Sequence, residues 1–298
     1  IAPMETTRGC PYNCDFCTVS RFFGVRQRHK NIEEIVNEAK SLEQKFIFFL
    51  DDNITGDKKF AKELFTALIP LKKIWVGQAS INFSKDDELM KLAYKSGCRG
   101  VLVGFESMTD DGLSHYRKTL KSVDANIEAI KRLRNNGIVT MASLVFGLDS
   151  DTENVFEISK DFLNNSKAAF FQSCVITPYP GTPVFNSLRE QGRILTDDWS
   201  KYDATKVLIQ PKNFSPEFLL EGANKIQETI YGNASILRRS LPHFKLGFSS
   251  ILLYFSLNKG YQSRHNQKKI LGVQRNPEGV PVDFDVTKYV MPVKKKKS

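Results

Sequence analysis

Short apolar runs alternate with amphipathic stretches between residues 4 and 176 of the chain. The runs have the length of strands, and apolar residues recur at helical spacing in the stretches that separate them. This alternation is typical of a parallel sheet covered by helices. The predicted strands are Met4–Arg8, Phe46–Leu50, Ile74–Ala79, Gly100–Phe105, Val139–Phe146 and Ala169–Ile176. The predicted helices are Ile32–Gln44, Lys58–Leu71, Asp86–Ser96, Val123–Asn136 and Thr152–Leu163. Six βα units are too few to close an eight-stranded barrel.

The C-terminal third has a different pattern, which begins at Asn186. A strand-like run at Lys206–Gln210 precedes a predicted helix at Pro216–Arg239. The apolar stretch Leu246–Leu257 is shorter than the ~20 residues that span a bilayer. We expect it to pack on the rest of the protein, and a helix on a membrane surface is the alternative. The predicted divisions are a core at residues 1–185, an extension at 186–272 and a loosely ordered basic tail at 273–298.

Three cysteines, Cys10, Cys14 and Cys17, lie in the run GCPYNCDFC. Their C-x3-C-x2-C spacing suits three corners of an iron-sulfur cube, and because a fully ligated cube takes four, one iron stays open for a substrate or cofactor. A structural zinc site is the alternative, but it usually brings two C-x2-C pairs or distant paired histidines, and the sequence has neither. A disulfide framework is disfavoured by the odd number of cysteines and by the length of the chain.

The formal net charge of +10 raises the question of nucleic-acid binding. Four of these charges lie at Lys294–Lys297, and no basic stripe interleaved with aromatic residues is visible, so we do not expect a nucleic-acid partner. Cysteines suited to a metal cluster, without a signal peptide, indicate a reducing compartment, and we expect a cytoplasmic protein with membrane association as an option. Because the chain begins at Ile1 and not at methionine, we expect an upstream portion.

The residues around the cysteines extend the motif, with Thr6–Gly9 before them and Phe16 just before the last. This segment resembles the signature loop of radical S-adenosylmethionine (radical SAM) enzymes. In that family the open iron binds the amino and carboxylate groups of the methionine part of S-adenosylmethionine. An electron from the 4Fe-4S cluster then cleaves the sulfonium to give a 5'-deoxyadenosyl radical. The resemblance implies an α/β fold with a partial (βα)6 TIM-like barrel, which agrees with the six units counted, followed here by a mainly helical extension.

Strand ends are the expected positions of the cofactor contacts, because chemistry in parallel α/β folds lies at the carboxyl ends of the strands. Asp51, Asp52 and Asn53 follow the second strand and could accept hydrogen bonds from an ammonium group. The resemblance implies that this position contacts the methionine amino group. A cap for the next helix is the alternative.

Later strand ends supply the other expected contacts. Glu106 and Ser107 follow the fourth strand and resemble the ribose-contacting motif of the family, in which Glu106 is favoured over Ser107 as the contact; a solvated loop is the alternative. Gly147 lets a backbone approach a ligand closely, and the family places adenine near this turn. The resemblance also implies that Phe16 lies near the adenine.

The segments Asp198–Asp203 and Pro211–Glu217 resemble the C-terminal extension of cobalamin-dependent radical SAM proteins, including hopanoid methylases. Some members of that group methylate unactivated carbons, including those of polycyclic lipids. The resemblance implies methylation of a small-molecule or lipid substrate and a reducing electron-donor protein as partner. It also implies cobalamin as a further cofactor, although no cobalamin-binding domain is visible in these residues; such a domain would lie upstream of Ile1 or be absent.

Two alternative functions remain at this stage. A methylthiotransferase has similar barrel motifs, but it would need three more cysteines for a second cluster, and only Cys98 and Cys174 remain. A nucleic-acid or membrane-binding protein with a structural metal site is the alternative from another class, and it would not cleave S-adenosylmethionine.

Overall fold

A six-stranded parallel sheet forms the centre of the protein, whose computed structural model describes residues 1–108, 122–246 and 248–270. In sheet order, which is also chain order, its strands are β1 (Ala2–Met4), β4 (Phe46–Phe49), β5 (Ile74–Gln78), β6 (Cys98–Glu106), β7 (Val139–Phe146) and β8 (Phe170–Val175). β2 (Thr7–Arg8) and β3 (Arg28–His29) form a separate antiparallel pair. Parallel neighbours joined by helical crossovers are the arrangement of a TIM-like barrel that stops at six strands.

The described part of the chain contains ten helices, and the second to the sixth of them connect the strands of the six-stranded sheet. They are α1 (Val19–Phe22), α2 (Ile32–Ser41), α3 (Lys58–Leu68), α4 (Asp87–Lys95), α5 (Val123–Asn135), α6 (Val155–Ser166), α7 (Pro183–Glu190), α8 (Pro216–Ile230), α9 (Asn233–Ser240) and α10 (Phe248–Ile270). Side-chain caps begin several of them: the Asn31 side chain, just before α2, accepts a hydrogen bond from the Glu33 N–H at 2.8 Å. The five predicted helices are present, with ends shifted by up to three residues.

The first predicted strand, Met4–Arg8, is wrong in its second half. β1 ends at Met4, and Thr7 pairs instead with His29 in the antiparallel ribbon. The cause is a hydrogen-bond partner from far along the chain. The backbone N–H groups of Thr6 and Thr7 donate to the Asp51 carboxylate at 3.1 and 2.5 Å, so neither donates to a neighbouring strand of the sheet.

The two faces of the sheet differ in burial. Large side chains fill the layer between the sheet and the helices, where Phe105 packs on Phe162 with ring centroids 5.4 Å apart and Trp75 donates to the Ser96 hydroxyl at 3.1 Å. The inward-facing residues of the middle strands, such as Leu102 and Gly104, are only half-buried. The inner face of the barrel is therefore open enough to hold a ligand.

The C-terminal extension packs directly on the barrel. The predicted helix Pro216–Arg239 is two helices, α8 and α9, which break at Gly232. The buried guanidinium of Arg239 donates to the carbonyls of Ala168, Ala169 and Ile230 at 2.8 to 3.0 Å, and burial lowers its pKa. The predicted run Lys206–Gln210 forms only one isolated antiparallel bridge, from Ile209 to Ile194. The division at residue 185 stays a prediction.

The last strand of the sheet, β8, is completed by groups of the extension. The Tyr231 hydroxyl accepts from the Phe171 N–H at 3.0 Å and donates to the Phe171 carbonyl at 2.5 Å. The Val175 N–H donates to the Ala204 carbonyl at 2.9 Å. These bonds occupy backbone groups that a seventh strand would otherwise pair.

The apolar stretch Leu246–Leu257 lies mostly in α10 and packs on the protein, as predicted. Tyr254 is fully buried, and its hydroxyl donates to the Ile236 carbonyl at 2.5 Å. In the described part of the chain, no helix combines the length and the apolar character needed to cross a membrane. The predicted basic tail at 273–298 lies outside the described residues.

Candidate active site

A cavity of about 300 Å³ opens at the carboxyl ends of the middle strands. Residues expected from the sequence line it together: Cys10, Cys14, Phe16, Cys17, Asp52, Asn53 and Glu106. Polar residues that the sequence reasoning missed also line it: Tyr12, Gln78, Ser80, Asn82 and Ser143. The wall thus combines three thiols with two carboxylates and several amide and hydroxyl groups.

The cysteine loop turns sharply at Gly9, whose φ of +93° favours glycine. All three thiols are partly exposed to the cavity, and the Cys17 N–H donates to the Cys14 carbonyl at 3.2 Å. Burial raises the pKa of the Cys17 thiol, while a hydrogen bond from the Val19 backbone opposes the rise. A bound metal centre would reverse this preference, because its positive charge stabilises thiolates.

The donor set fits an iron-sulfur cluster. Among the described residues, no three His, Cys, Asp or Glu side chains converge closely enough to hold a single metal ion. The three thiols instead surround part of a cavity. This arrangement suits a cluster, because each of its irons is a separate corner that takes its own thiolate.

Asp51 does not line the cavity, although the sequence predicts a cofactor contact at this residue. It is fully buried, and its carboxylate accepts hydrogen bonds from the backbone N–H and the hydroxyl of both Thr6 and Thr7, at 2.5 to 3.1 Å. Burial raises its pKa and these bonds oppose the rise. The carboxylate therefore fastens the start of the cysteine loop to the end of β4.

Asp52 and Asn53 face the cavity from the same strand end. Asp52 accepts from the Gly9 N–H at 3.2 Å, which ties it to the cysteine loop. The Asn53 side-chain oxygen accepts from the Ser80 N–H at 3.1 Å, and its amide lies 4.0 Å from the Cys10 sulfur. These bonds join the ends of β4 and β5 to the cysteine loop.

Glu106 enters the cavity through an unusual backbone conformation. Its φ of +65° lies in the left-handed region, and the pairing of β6 with β7 shifts register between Gly104 and Glu106. A left-handed residue other than glycine costs roughly 1–2 kcal/mol. Such strain is concentrated at functional sites, so this conformation independently marks Glu106 as a candidate site residue.

Two further expected contacts, Ser107 and Gly147, lie outside the cavity lining. Ser107 is buried at the end of β6, where its N–H donates to the Phe105 carbonyl at 2.9 Å. Gly147 has a φ of +94°. The position that a Cβ would take at this residue points at a side chain of the protein, because an added Cβ would lie 2.7 Å from the Leu219 Cδ2. The close approach at this turn is therefore to α8 of the extension.

The hydroxyl and amide groups at the end of β5 were missed by the sequence reasoning. The Asn82 amide donates to the Tyr12 hydroxyl at 2.7 Å, and Tyr12 lies 3.3 Å from the Ser80 hydroxyl. The signal was present, because Ser80 directly follows a predicted strand and strand ends carry the chemistry in this fold class.

The two remaining cysteines differ in exposure. Cys98 is fully buried, and burial raises the pKa of its thiol to about 12. Cys174 on β8 is partly exposed; burial raises its pKa, while a hydrogen bond with Ser143 opposes the rise. Cys98 is thus a small core residue, whereas Cys174 borders the cavity wall through Ser143.

Comparison with known proteins gives consistent matches. Residues 4–163 match the sequence model of the Radical SAM superfamily. The chain is 30% identical over 245 residues to bacteriochlorophyllide d C-12(1)-methyltransferase of Chlorobaculum tepidum, covering 80% of this chain and 53% of the relative. It is 26% identical over 208 residues to hopanoid C-2 methylase of Rhodopseudomonas palustris, covering 66% of this chain and 40% of the relative. The chain therefore spans about half the length of the relatives it matches.

The fold matches a solved structure. A radical S-adenosylmethionine methyltransferase from Kitasatospora setae, solved with cobalamin and a 4Fe-4S cluster bound, superposes with a TM-score of 0.65. The superposition covers 89% of this chain and 61% of that protein, at 18% sequence identity. This likeness supports the partial-barrel fold with its extension.

Proposed function

The chain belongs to the radical SAM superfamily, and on that premise we propose that it cleaves S-adenosylmethionine at a 4Fe-4S cluster and methylates an unactivated carbon. The observation that carries the proposal is the cavity in which three thiols of one loop face the carboxylates of Asp52 and Glu106. The named relatives, a methyltransferase and a methylase, support methylation as the reaction.

Each part of the cavity wall has a distinct task in this proposal. Cys10, Cys14 and Cys17 would hold the cluster. Asp52 and Asn53 would bind the amino group of S-adenosylmethionine, and Glu106 would accept hydrogen bonds from its ribose hydroxyls. When bound, the cluster supplies the electron that cleaves the sulfonium. The carboxylates also complement the positive charge of the sulfonium and ammonium groups.

The residues outside the cavity have supporting tasks. Asp51 would position the cysteine loop through Thr6 and Thr7, and Gly147 would position the extension against β7. Phe16, which is partly buried and packs against the apolar cluster of Leu148, Ile176, Leu188 and Ile209, would cover the adenine. Ser107 has no proposed contact with the cofactor. The protein thereby orients the cofactor and excludes competing reactions, which is the usual task of a protein around a reactive group.

The test is an anaerobic assay after reconstitution with iron and sulfide and reduction with dithionite. We expect 5'-deoxyadenosine to form from S-adenosylmethionine and a labelled methyl group to appear in candidate polycyclic or tetrapyrrole substrates. A folded, fully reconstituted protein that forms no 5'-deoxyadenosine, even with cobalamin and substrates, would overturn the proposal. If 5'-deoxyadenosine forms but no labelled product appears, the radical initiation stands and only the proposed methylation is wrong. The protein would then catalyse a different radical reaction.

Glu106 offers a matched pair of variants. Because Ala retains the left-handed strain and Gly does not, we expect Glu106→Gly to be more stable than Glu106→Ala by about 1 kcal/mol in urea unfolding. Both variants lose a charged hydrogen-bond acceptor, so we expect both to bind S-adenosylmethionine roughly tenfold or more weakly. Glu153→Ala, outside the cavity lining, serves as the control. Unchanged affinity in Glu106→Ala would contradict the ribose contact.

We also propose cobalamin as a cofactor of the methyl transfer. The resemblance of the segments Asp198–Asp203 and Pro211–Glu217 to the extension of cobalamin-dependent members supports this proposal, and the Kitasatospora setae protein holds cobalamin. No residue of this chain is assigned to it. A methylthiotransferase is not favoured, because the named relatives are a methyltransferase and a methylase.

Peripheral membrane contact is a further proposal that would suit a lipid substrate. Large apolar side chains at helical spacing are more than half exposed on α9 and in the region up to α10: Leu237, Leu241, Phe244, Phe248 and Leu252. Exposed apolar groups of this extent are typical of binding surfaces.

A further inference from the structure

Four basic side chains lie beside the cysteine loop. Arg26 and Arg28 belong to an open concavity of about 760 Å³ that residues 23–29 form. Arg26 also lines a neighbouring concavity of about 670 Å³ with Lys58, Lys59 and Pro11 of the cysteine loop. All four basic residues are exposed, and we call them the basic patch. They come from two separate segments, which is why the sequence alone shows no basic stripe.

Little negative charge opposes the basic patch. Residues 16–32 contain no Asp or Glu. The nearby Asp57 is occupied as the cap of α3, where it accepts from the N–H groups of Lys59 and Phe60 at 3.0 and 3.1 Å. Within the described ranges, no carboxylate lies within 4.0 Å of a patch nitrogen as an ion pair. The four basic side chains outnumber the one carboxylate, Asp57, that lines the two concavities, so the basic patch carries a net positive charge.

Apolar side chains stand exposed next to this charge. Phe22, Phe23 and Val25 are 77%, 36% and 51% exposed. Positive charge beside exposed apolar groups matches the composition of a protein interface, in which charge guides the approach and apolar contacts hold the partner.

The basic patch lies very close to the proposed cluster. A methyl group added at Gly9 would lie 3.1 Å from the backbone carbonyls of both Gly24 and Arg26. Gly9 immediately precedes Cys10, and Pro11 immediately follows it. The backbone that carries Arg26 therefore packs against the residue next to Cys10, and a protein docked on the patch would lie close to this cluster ligand.

We propose that the basic patch docks a small acidic electron-carrier protein, which reduces the bound cluster. This inference rests on the proposed function. In the step, the reduced carrier is oxidised by one electron and the cluster gains that electron, while no bond forms or breaks. Charge complementarity would speed the encounter, and the short path would favour transfer from a weakly bound partner. The position against the cysteine loop favours a redox partner over RNA, which has no need of proximity to a cluster.

The test uses the reconstituted enzyme with a flavodoxin, a small acidic flavoprotein, as the probe. The variant Arg26→Glu/Lys59→Glu reverses two patch charges, and Lys59→Glu lies in the first turn of a helix, where an acid is favourable. We expect the rate of cluster reduction by flavodoxin hydroquinone to fall roughly tenfold or more at low salt. The flavodoxin affinity, measured by flavin fluorescence, should fall with it. Lys91→Glu/Lys95→Glu, on exposed positions of α4, should behave as wild type.

Dithionite separates this inference from the proposed function. Reduction by dithionite, and the 5'-deoxyadenosine that it drives, should be unchanged in the patch variant. If the charge reversal impairs folding, Arg26→Gln/Lys59→Gln should still weaken flavodoxin binding and reduce its salt dependence. Flavodoxin reduction and binding at wild-type levels in both variants would overturn the proposal. So would binding of a single-stranded RNA that depends on the patch when flavodoxin binding does not.

Discussion

Cys14→Ala is expected to abolish the cleavage of S-adenosylmethionine while leaving the protein folded. Cys14 is partly exposed on a loop, so its loss removes little core packing, but it removes one of the three thiols of the proposed cluster site. We expect 5'-deoxyadenosine formation to fall more than about a hundredfold, because even indirect partners of metal ligands can cost that much when they are removed. Bound iron and sulfide should fall in parallel, and circular dichroism should stay unchanged.

Cys98→Ala is the matched control for this result. It also removes one thiol, but Cys98 is fully buried in the core and does not line the cavity. We expect wild-type iron content and cleavage with slightly lower stability, because the substitution leaves a small cavity. Normal turnover in Cys14→Ala, or an equal loss in both variants, would contradict the assignment of the cluster to the cysteine loop.

Asp51→Ala is expected to produce the largest loss of stability of any single substitution considered. The substitution leaves the buried N–H and hydroxyl groups of Thr6 and Thr7 without their acceptor. Each buried unsatisfied group costs about 1–3 kcal/mol, so we expect a loss of about 3 kcal/mol or more in the free energy of unfolding. For a protein of this size a loss of about 3 kcal/mol lowers the melting temperature by roughly 5 °C.

Asp52→Ala separates anchoring from cofactor binding. Asp52 is half-buried and accepts one backbone hydrogen bond, from Gly9, so its loss should cost well under half as much stability. We expect it instead to weaken the binding of S-adenosylmethionine, measured by equilibrium dialysis. The anchoring role of Asp51 is wrong if Asp51→Ala has the melting temperature of the wild type. It is also wrong if Asp52→Ala lowers the melting temperature more than Asp51→Ala does.

The sequence predicted regular elements well, because their signals are local. The strand Val139–Phe146 has the predicted bounds, and Asn31 caps α2 as its position indicates. Errors arose where a distant group decides the local structure. Thr6 and Thr7 leave the sheet because their N–H groups find a carboxylate 45 and 44 positions away, which no local pattern reveals.

The same distinction applies to the candidate site. The spacing of the cysteines predicted which thiols share one cavity, because short spacing restricts where their sulfurs can lie. Spacing could not predict that Asp51 faces away from the cavity while Asp52 faces it, since that depends on the turn after β4. The left-handed backbone of Glu106 was equally invisible, because most residues other than glycine avoid it.

The single tyrosine hydroxyl at β8 has a consequence for solubility. An incomplete barrel exposes two strand edges, and an edge with free backbone groups is a template on which other chains aggregate. Tyr231 occupies both backbone groups of Phe171, and the Ala204 carbonyl occupies a further donor of the strand, the Val175 N–H. The opposite edge strand, β1, has only three residues. The protein thus keeps an incomplete barrel without offering a long strand edge to its own copies.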